Sequence, residues 1–126
     1  MRIVFLNPSG ELGGAETALL EMLAALREAR PAWTLSLVAS APGPLLERTS
    51  RLGVPSVPLT FPPALARLGE WGRRGSVIAR AQLGLAVAGA AWPVLTYGSK
   101  LRRHLATIDP DVVHTNGLKM HLLGVR

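Results

Sequence analysis

The first 31 residues change from a strand-like to a helix-like pattern of apolar positions. Residues 2–7, RIVFLN, form a short apolar run with β-branched and aromatic members, which predicts a buried strand. From Ala15 onward, apolar residues recur at the spacing i, i+3, i+4 and i+7: Leu19, Met22, Leu23 and Leu26. That spacing predicts an amphipathic helix, and Pro31 ends it.

Two more strands and a helix are predicted before residue 60. In the segment 33–40, apolar and polar residues alternate as expected for a strand. Residues 45–53 predict a short helix that Gly53 stops. Residues 54–59 predict a third strand. Its two prolines favour an edge position, because proline cannot donate a hydrogen bond to a neighbouring strand.

A fourth strand is predicted at residues 109–117, DPDVVHTNG. Pro110 starts it, the valine pair provides its apolar part, and Asn116-Gly117 turns the chain into another helical pattern. Strands and helices therefore alternate along the chain. This order predicts an α/β fold, a Rossmann-like parallel sheet with helices on both faces.

Residues 61–108 predict a helical, basic and apolar insertion within this domain. A loop or short helix at 61–76 is followed by a long helical pattern that we expect to break near Pro93. Its most apolar part, Ala81 to Tyr97, has 17 residues, whereas a bilayer span needs about 20. We expect this helix either to be buried in the fold or to lie partly in a membrane interface.

The charge of the chain is concentrated in the same region. The 126 residues carry a net charge of +6. Between residues 67 and 103, Glu70 is the only acid, and the basic residues are Arg67, Arg73, Arg74, Arg80, Lys100, Arg102 and Arg103. A local excess favours an anionic partner such as lipid head groups, phosphates or nucleic acid, although a solvated basic face is the alternative. Nucleic acid is disfavoured, because stacking aromatics are not interleaved with the basic residues and no nucleic-acid motif is present.

Several site classes are excluded or disfavoured by composition. The chain has no cysteine, which excludes disulfides and thiolate sites and fits a reducing compartment. The N-terminal apolar run is too short for a signal peptide, so we expect a cytoplasmic protein. His104, His114 and His121 are scattered, and no acid cluster joins them, so we expect no metal. We expect His104 and His121 to be surface or packing residues.

The loop after the first strand, NPSGELGGAET, carries three glycines within five positions: Gly10, Gly13 and Gly14. In parallel α/β sheets, ligands bind beyond the carboxyl ends of the strands. Glycines let another group come close, and the following helix directs N–H groups and partial positive charge toward the gap. The loop is therefore either a phosphate- or sugar-facing loop or a tight turn that needs glycine for its own geometry.

Two common nucleotide motifs are missing from this loop. Its spacing is G-x-x-G-G, not the dinucleotide fingerprint G-x-G-x-x-G, and no acid follows the second strand for a ribose. A P-loop is excluded because no Lys-Ser or Lys-Thr follows the glycines. An oxidoreductase or epimerase with a nucleotide cofactor is therefore a third-ranked hypothesis.

Two segments carry a resemblance to a known family. GELGGAETALLEMLAAL, at residues 10–26, resembles the first loop and helix of family-4 glycosyltransferases, and IDPDVVHTNG, at 108–117, resembles their D-(V/I)-(V/I)-H-x-H segment. The resemblance implies one half of a GT-B fold, the N-terminal acceptor-binding domain of a retaining enzyme. A C-terminal domain with an E-x7-E motif would hold most contacts to the nucleotide-sugar donor. No such motif occurs in residues 1–126, so we expect a truncated portion that is inactive alone.

The resemblance also implies roles for individual residues. Gly13 and Gly14 would supply backbone N–H groups near the donor diphosphate or the acceptor hydroxyl. Glu16 matches the acid of the family, and a structural role at the helix N-terminus is favoured over a catalytic one. His114 matches the first histidine and would donate a hydrogen bond to the transferred sugar or the leaving phosphate, the alternative being a histidine packed under the loop. Asn116 stands where the second histidine often is, and the resemblance places it among the residues that bind the sugar substrate or the donor phosphate.

The implied reaction needs no metal or other cofactor, because positive charge and helix N-termini stabilise the leaving diphosphate. The family often acts on lipid-linked or cell-envelope acceptors, which gives the basic segment a task on the inner face of the cell membrane. Trp71, Trp92 and Tyr97 are rings of the kind that settle at a membrane boundary. A non-enzymatic basic module that binds an anionic membrane surface is the second-ranked hypothesis.

Overall fold

The computed structural model describes residues 1–63, 77–117 and 120–121. Strands and helices alternate in chain order: β1 (Arg2–Asn7), α1 (Gly14–Ala29), β2 (Thr34–Ala39), α2 (Pro44–Arg51), β3 (Ser56–Pro58), α3 (Val77–Ile108) and β4 (Val112–Thr115). Within the described residues, four parallel strands form one sheet in the order β3-β2-β1-β4. The predicted α/β class with a Rossmann-like parallel sheet is confirmed.

The chain divides into two compact units. One unit contains residues 1–60 and 104–126, and the other contains residues 61–103. The first unit holds the whole sheet. β3 lies at an edge of that sheet, as its prolines predict, and β1 lies between β2 and β4.

Both faces of the central strands are buried. On one face, Ile3 and Phe5 of β1 pack in a cluster with residues of β2, α1 and α2: Leu35, Leu37, Leu19, Leu23 and Leu45. The alternate residues Val4, Leu6 and Val38 are buried as well. A strand buried on both faces needs apolar residues at every position, which explains the continuous run that begins the sequence.

Arg2 fixes the start of β4 against the start of β1. Its guanidinium donates hydrogen bonds to the carboxylate of Asp109 at 2.8 Å and to the carbonyl of Ile108 at 3.3 Å. Its backbone N–H donates to the carboxylate of Asp111 at 2.6 Å. Asp109 has a φ of 49°, the left-handed conformation that turns the chain out of α3. The contacts are exposed, so they align these segments more than they stabilise them.

The unit of residues 61–103 contains most of α3. The predicted break at Pro93 is wrong, since α3 runs through this proline to Ile108. Tyr97 and Leu101, on the turns after the proline, are both buried, and this burial favours continuing the helix. The Tyr97 ring packs on Phe61 with a centroid distance of 4.8 Å. None of the helices in the described part of the chain is long and apolar enough to cross a membrane.

The glycines of the β1–α1 loop have different surroundings. A Cβ added at Gly10 would collide with the backbone of Ala41 and Pro42, and one added at Gly43 would collide with the Gly10 backbone. The N–H of Leu45 donates to the Gly10 carbonyl at 2.9 Å. Gly10 is therefore required for close packing of two loops. At Gly14, an added Cβ would meet nothing within 4 Å.

These surroundings predict that an added methyl group affects stability differently at Gly10 and at Gly14. We expect Gly10→Ala to lower the free energy of unfolding by about 2–3 kcal/mol, because the backbone of two loops must shift. The control Gly14→Ala changes it by less than about 0.5 kcal/mol or raises it, since alanine favours a helix. Urea denaturation measures both, and equal stabilities of the two variants would contradict the packing role of Gly10.

Candidate functional site

The carboxyl ends of the strands bring distant segments together at one edge of the sheet. Asn7, the last residue of β1, pairs with Ala39 at the end of β2. On the other side, Leu6 pairs with Thr115 of β4, and the Asn116 N–H donates to the Leu6 carbonyl at 2.8 Å. The glycine loop leaves β1 at this edge. The two segments that carry the family resemblance therefore meet here.

Asn7 is the residue that connects them, and it was not among the predicted site residues. Its side chain is fully buried. Its amide nitrogen donates to the Ser9 carbonyl at 2.6 Å and to the Glu16 carboxylate at 3.2 Å. Its amide oxygen accepts from Nδ2 of Asn116 at 2.6 Å. A polar amide at the end of a buried strand, directly before a glycine loop, is the sequence signal that identifies it.

Glu16 uses both carboxylate oxygens within the chain. One oxygen accepts from the Asn7 amide, and the other accepts from the Gly13 N–H at 3.1 Å. The second contact satisfies a backbone donor next to the first turn of α1, where a negative charge also suits the helix dipole. These contacts agree with the structural role that the sequence favours for Glu16.

Gly13 and Gly14 differ in what they offer to a ligand. The Gly13 N–H is already donated to Glu16, so donation to a ligand falls to Gly14 and the residue after it. Gly13 is the N-cap, and as a glycine it has no side chain to cap the N–H groups of the first turn. Gly14 is exposed and unobstructed. The positive end of α1 is therefore open at this edge.

His114 lies on β4 beside β1. It pairs with Phe5 in the sheet, and the two rings are 5.2 Å apart between centroids with a tilt of 47°. The imidazole is exposed, unlike the alternative of a histidine packed under the loop. Phe5 supports one side of the ring and leaves its nitrogens to solvent or a ligand. Asn116, two residues further along, is half-buried.

The other two histidines lie on α3 and after β4. His104 is half-buried on α3, and His121 is exposed, with Nδ1 3.2 Å from the hydroxyl of Thr115. In the described ranges of the chain, no group of three or more histidines and acids is placed to hold a metal ion.

The predicted membrane-binding residues are only partly described. Those outside the described residues are Arg67, Trp71, Arg73 and Arg74. Arg80 belongs to α3, and its side chain is also outside them. The exposed members are Lys100, Arg102, Arg103 and, at 75% exposure, Trp92. Leu95, which was not predicted, is 59% exposed.

Tyr97 corrects the membrane prediction. Its ring is buried against Phe61 and has no surface to offer a membrane. The apolar pattern of residues 81–97 did not distinguish the side of the helix that bears Tyr97 from the side that bears Trp92, because nearly every position in it is apolar.

Comparisons with known proteins identify a shared fold. No protein-family model matches the chain, and no curated protein matches it. The structure resembles the crystal structure of Anabaena Alr3699/HepE in complex with UDP and glucose, with a TM-score of 0.56 and 20% identity. It also resembles the structure of the same protein in complex with UDP, with a TM-score of 0.52 and 22% identity.

The matches cover this chain and the solved chain to very different extents. Each covers 98% of this chain but only 26% or 25% of the solved chain. The chain thus spans about a quarter of the length of the proteins it resembles. The predicted fold class, a Rossmann-like sheet of the kind that forms half of a GT-B fold, is confirmed by this likeness.

The contacts of Glu16 predict its contribution to stability. We expect Glu16→Ala to lower the free energy of unfolding by about 1–2 kcal/mol, because the Gly13 N–H and the buried Asn7 amide each lose an acceptor. Glu21→Ala, an exposed position on the same helix, is the control and changes it by less than about 0.5 kcal/mol. Urea denaturation measures both. A Glu16→Ala variant as stable as the control would contradict the capping role.

Proposed function

We propose that this chain is the acceptor-side half of a glycosyltransferase that uses a nucleotide-sugar donor. The observation that carries the proposal is the open N-terminus of α1 at Gly14, at the edge of the sheet where Asn7 joins the glycine loop to Asn116. Uncapped N–H groups at a helix N-terminus suit a phosphate or an oxygen that gains negative charge. A neighbouring amide and an imidazole suit the hydroxyl groups of a sugar.

The comparisons support the proposal through the fold that this chain shares with the neighbouring structures. The neighbouring structures hold UDP, and one of them also holds glucose. The chain spans about a quarter of their length. We propose that the enzyme also has a C-terminal Rossmann-like half, as the family resemblance implies. That half would hold most of the donor nucleotide. We therefore propose that residues 1–126 alone do not catalyse transfer.

The proposed reaction forms a bond between an acceptor oxygen and the anomeric carbon of the donor sugar. The bond from that carbon to the diphosphate oxygen breaks, and the proton of the acceptor hydroxyl passes to the leaving diphosphate. The first-turn N–H groups from Gly14 onward favour charge on the leaving diphosphate or orient the acceptor hydroxyl. His114 donates a hydrogen bond to the sugar or to the leaving phosphate. The proposal is retaining transfer without a metal.

A membrane-linked acceptor is the more specific part of the proposal. On α3, Trp92 and Leu95 are exposed on the same helix as Lys100, Arg102 and Arg103. An exposed aromatic ring and basic side chains match an anionic lipid surface. We propose a cytoplasmic enzyme that is peripheral on the inner face of the membrane. The same observation favours the second-ranked function, a basic membrane-binding module, if transfer is absent.

The open surroundings of Gly14 predict a specific loss of activity. In the protein with both proposed halves, we expect Gly14→Val to abolish sugar transfer with little change in stability. The valine side chain would occupy the space in front of the first-turn N–H groups, and its Cβ would meet nothing within 4 Å. Release of UDP from a UDP-sugar measures transfer, and thermal unfolding measures stability.

Two controls separate the possible reasons for such a loss. Ala18→Val adds a branched side chain to an exposed position on the same helix and leaves transfer at the wild-type level. His114→Ala is expected to transfer sugar about a hundredfold more slowly. Unchanged UDP binding assigns the His114 contact to the sugar, and weakened UDP binding assigns it to the leaving phosphate. Wild-type turnover by Gly14→Val would remove the loop from the mechanism.

Membrane attachment is tested by co-sedimentation with vesicles. We expect binding to vesicles of anionic phospholipid and none to neutral vesicles. Replacing Lys100, Arg102 and Arg103 by alanine weakens binding by about fivefold for each residue, since each contributes about 1 kcal/mol near the surface. The control replaces Arg48 and Arg51, exposed basic residues of α2, and leaves binding unchanged. Equal, negligible binding to both vesicle types would contradict attachment.

A further inference from the structure

The buried amide of Asn7 has an orientation that its neighbours determine. An amide has one face that only donates and one that only accepts. The nitrogen of Asn7 faces the carbonyl of Ser9 and the carboxylate of Glu16, and both of these groups accept hydrogen bonds. Exchanging its nitrogen and oxygen would set acceptor against acceptor in a fully buried position. The Asn7 oxygen must therefore face the third partner, Asn116.

The orientation of the Asn7 amide determines the orientation of the Asn116 amide. The Asn7 oxygen needs a donor, so Nδ2 of Asn116 points inward to it, at 2.6 Å. The opposite side of the Asn116 amide is its oxygen Oδ1. Asn116 is half-buried at the edge of the sheet, and among the described residues its Oδ1 contacts no hydrogen-bond donor. Asn7 accepts only one of the two hydrogens on Nδ2, so Asn116 offers a ligand the acceptor Oδ1 and one further N–H.

We infer that Asn7 is a positioning residue that fixes the Asn116 amide so that its Oδ1 accepts a hydrogen bond from a hydroxyl group of the substrate. The inference rests on the proposed function for the identity of that substrate. A phosphate oxygen carries no proton and cannot donate to Oδ1, so only a hydroxyl group can use this acceptor. Oδ1 of Asn116 therefore recognises a hydroxyl group of the sugar. This is narrower than the sequence prediction, which placed Asn116 among residues for sugar or phosphate.

The first part of the experiment reads the amide orientation without a ligand. In isotope-labelled intact protein, nuclear magnetic resonance detects scalar coupling across a hydrogen bond. We expect coupling from Nδ2 of Asn116 to the side-chain carbonyl carbon of Asn7. Coupling in the reverse direction, from Nδ2 of Asn7 to Asn116, or no coupling between the two, would overturn the inference.

The second part tests the hydroxyl contact with UDP, UDP-glucose and free glucose as probes. We expect Asn116→Ala to weaken binding of a glucose-bearing probe by about tenfold, the effect of one lost hydrogen bond. Binding of UDP, whose hydroxyl groups belong to the ribose, stays unchanged. Loss with UDP-glucose assigns the hydroxyl to the donor sugar, and loss with free glucose in the presence of UDP assigns it to the acceptor. An equal loss for UDP would overturn the inference.

Exchanging the amide of Asn7 and the carboxylate of Glu16 tests whether Asn7 acts through its hydrogen bonds to Glu16 and Asn116. Asn7→Asp removes both donors and sets a carboxylate against the Ser9 carbonyl and the Glu16 carboxylate. We expect this repulsion to turn the side chain away from Asn116 and to cause the same selective loss as Asn116→Ala. Adding Glu16→Gln restores a complementary pair, because the introduced amide donates through nitrogen to the introduced carboxylate and still accepts from Gly13 through oxygen. We expect the double variant to regain part of the selectivity for the glucose-bearing probes over UDP, because the Ser9 carbonyl still faces the introduced carboxylate.

A control variant and the UDP probe distinguish failure of the proposed function from failure of the positioning role. Thr49→Ala removes a buried hydrogen bond on α2, outside this edge, and leaves the selectivity at the wild-type value. A wild-type protein that binds none of the probes would overturn the proposed function and the hydroxyl contact together. A wild-type protein that binds UDP, with Asn7→Asp as selective as Thr49→Ala, would overturn only the positioning role.

Discussion

The candidate site depends on one buried amide. Asn7 is held at the end of the central strand by its place in the sheet, and its three side-chain hydrogen bonds reach the glycine loop, the first turn of α1 and the residue after β4. These segments are far apart in sequence, and Asn7 and Asn116 are separated by 109 positions. Its buried polar atoms are satisfied only when all of the segments are in place. Folding of the sheet and assembly of the site are therefore one event.

Much of the fold could be predicted from local patterns, because each element has its own signal. The apolar run at residues 2–7 predicts a buried strand, and the prolines of the third strand predict its edge position, as the sheet order has it. Pro93 shows where local reasoning fails. A proline disfavours a helix by a few kcal/mol in isolation, but burial of Tyr97 on the next turn is a tertiary effect that the sequence pattern does not contain.

The candidate site was predictable in outline only. The glycine loop and the His114 segment were found from motifs, and the sheet places both at its carboxyl edge. Which glycine serves which purpose was not predictable, since Gly10 and Gly14 look alike in sequence. One packs against Ala41 and Pro42, and the other faces open space. Asn7 was overlooked because its role depends on contacts with residues distant in the chain.

The packing of Gly10 against the β2–α2 loop has a consequence for dynamics. Gly10 is confined by the backbone at Ala41 and Pro42, and its carbonyl is bonded to Leu45. A segment secured at that point cannot swing as a flap over a bound molecule. Any closure around a bound molecule must therefore come from another part of the protein, and the Gly10 segment is a fixed wall of the candidate site.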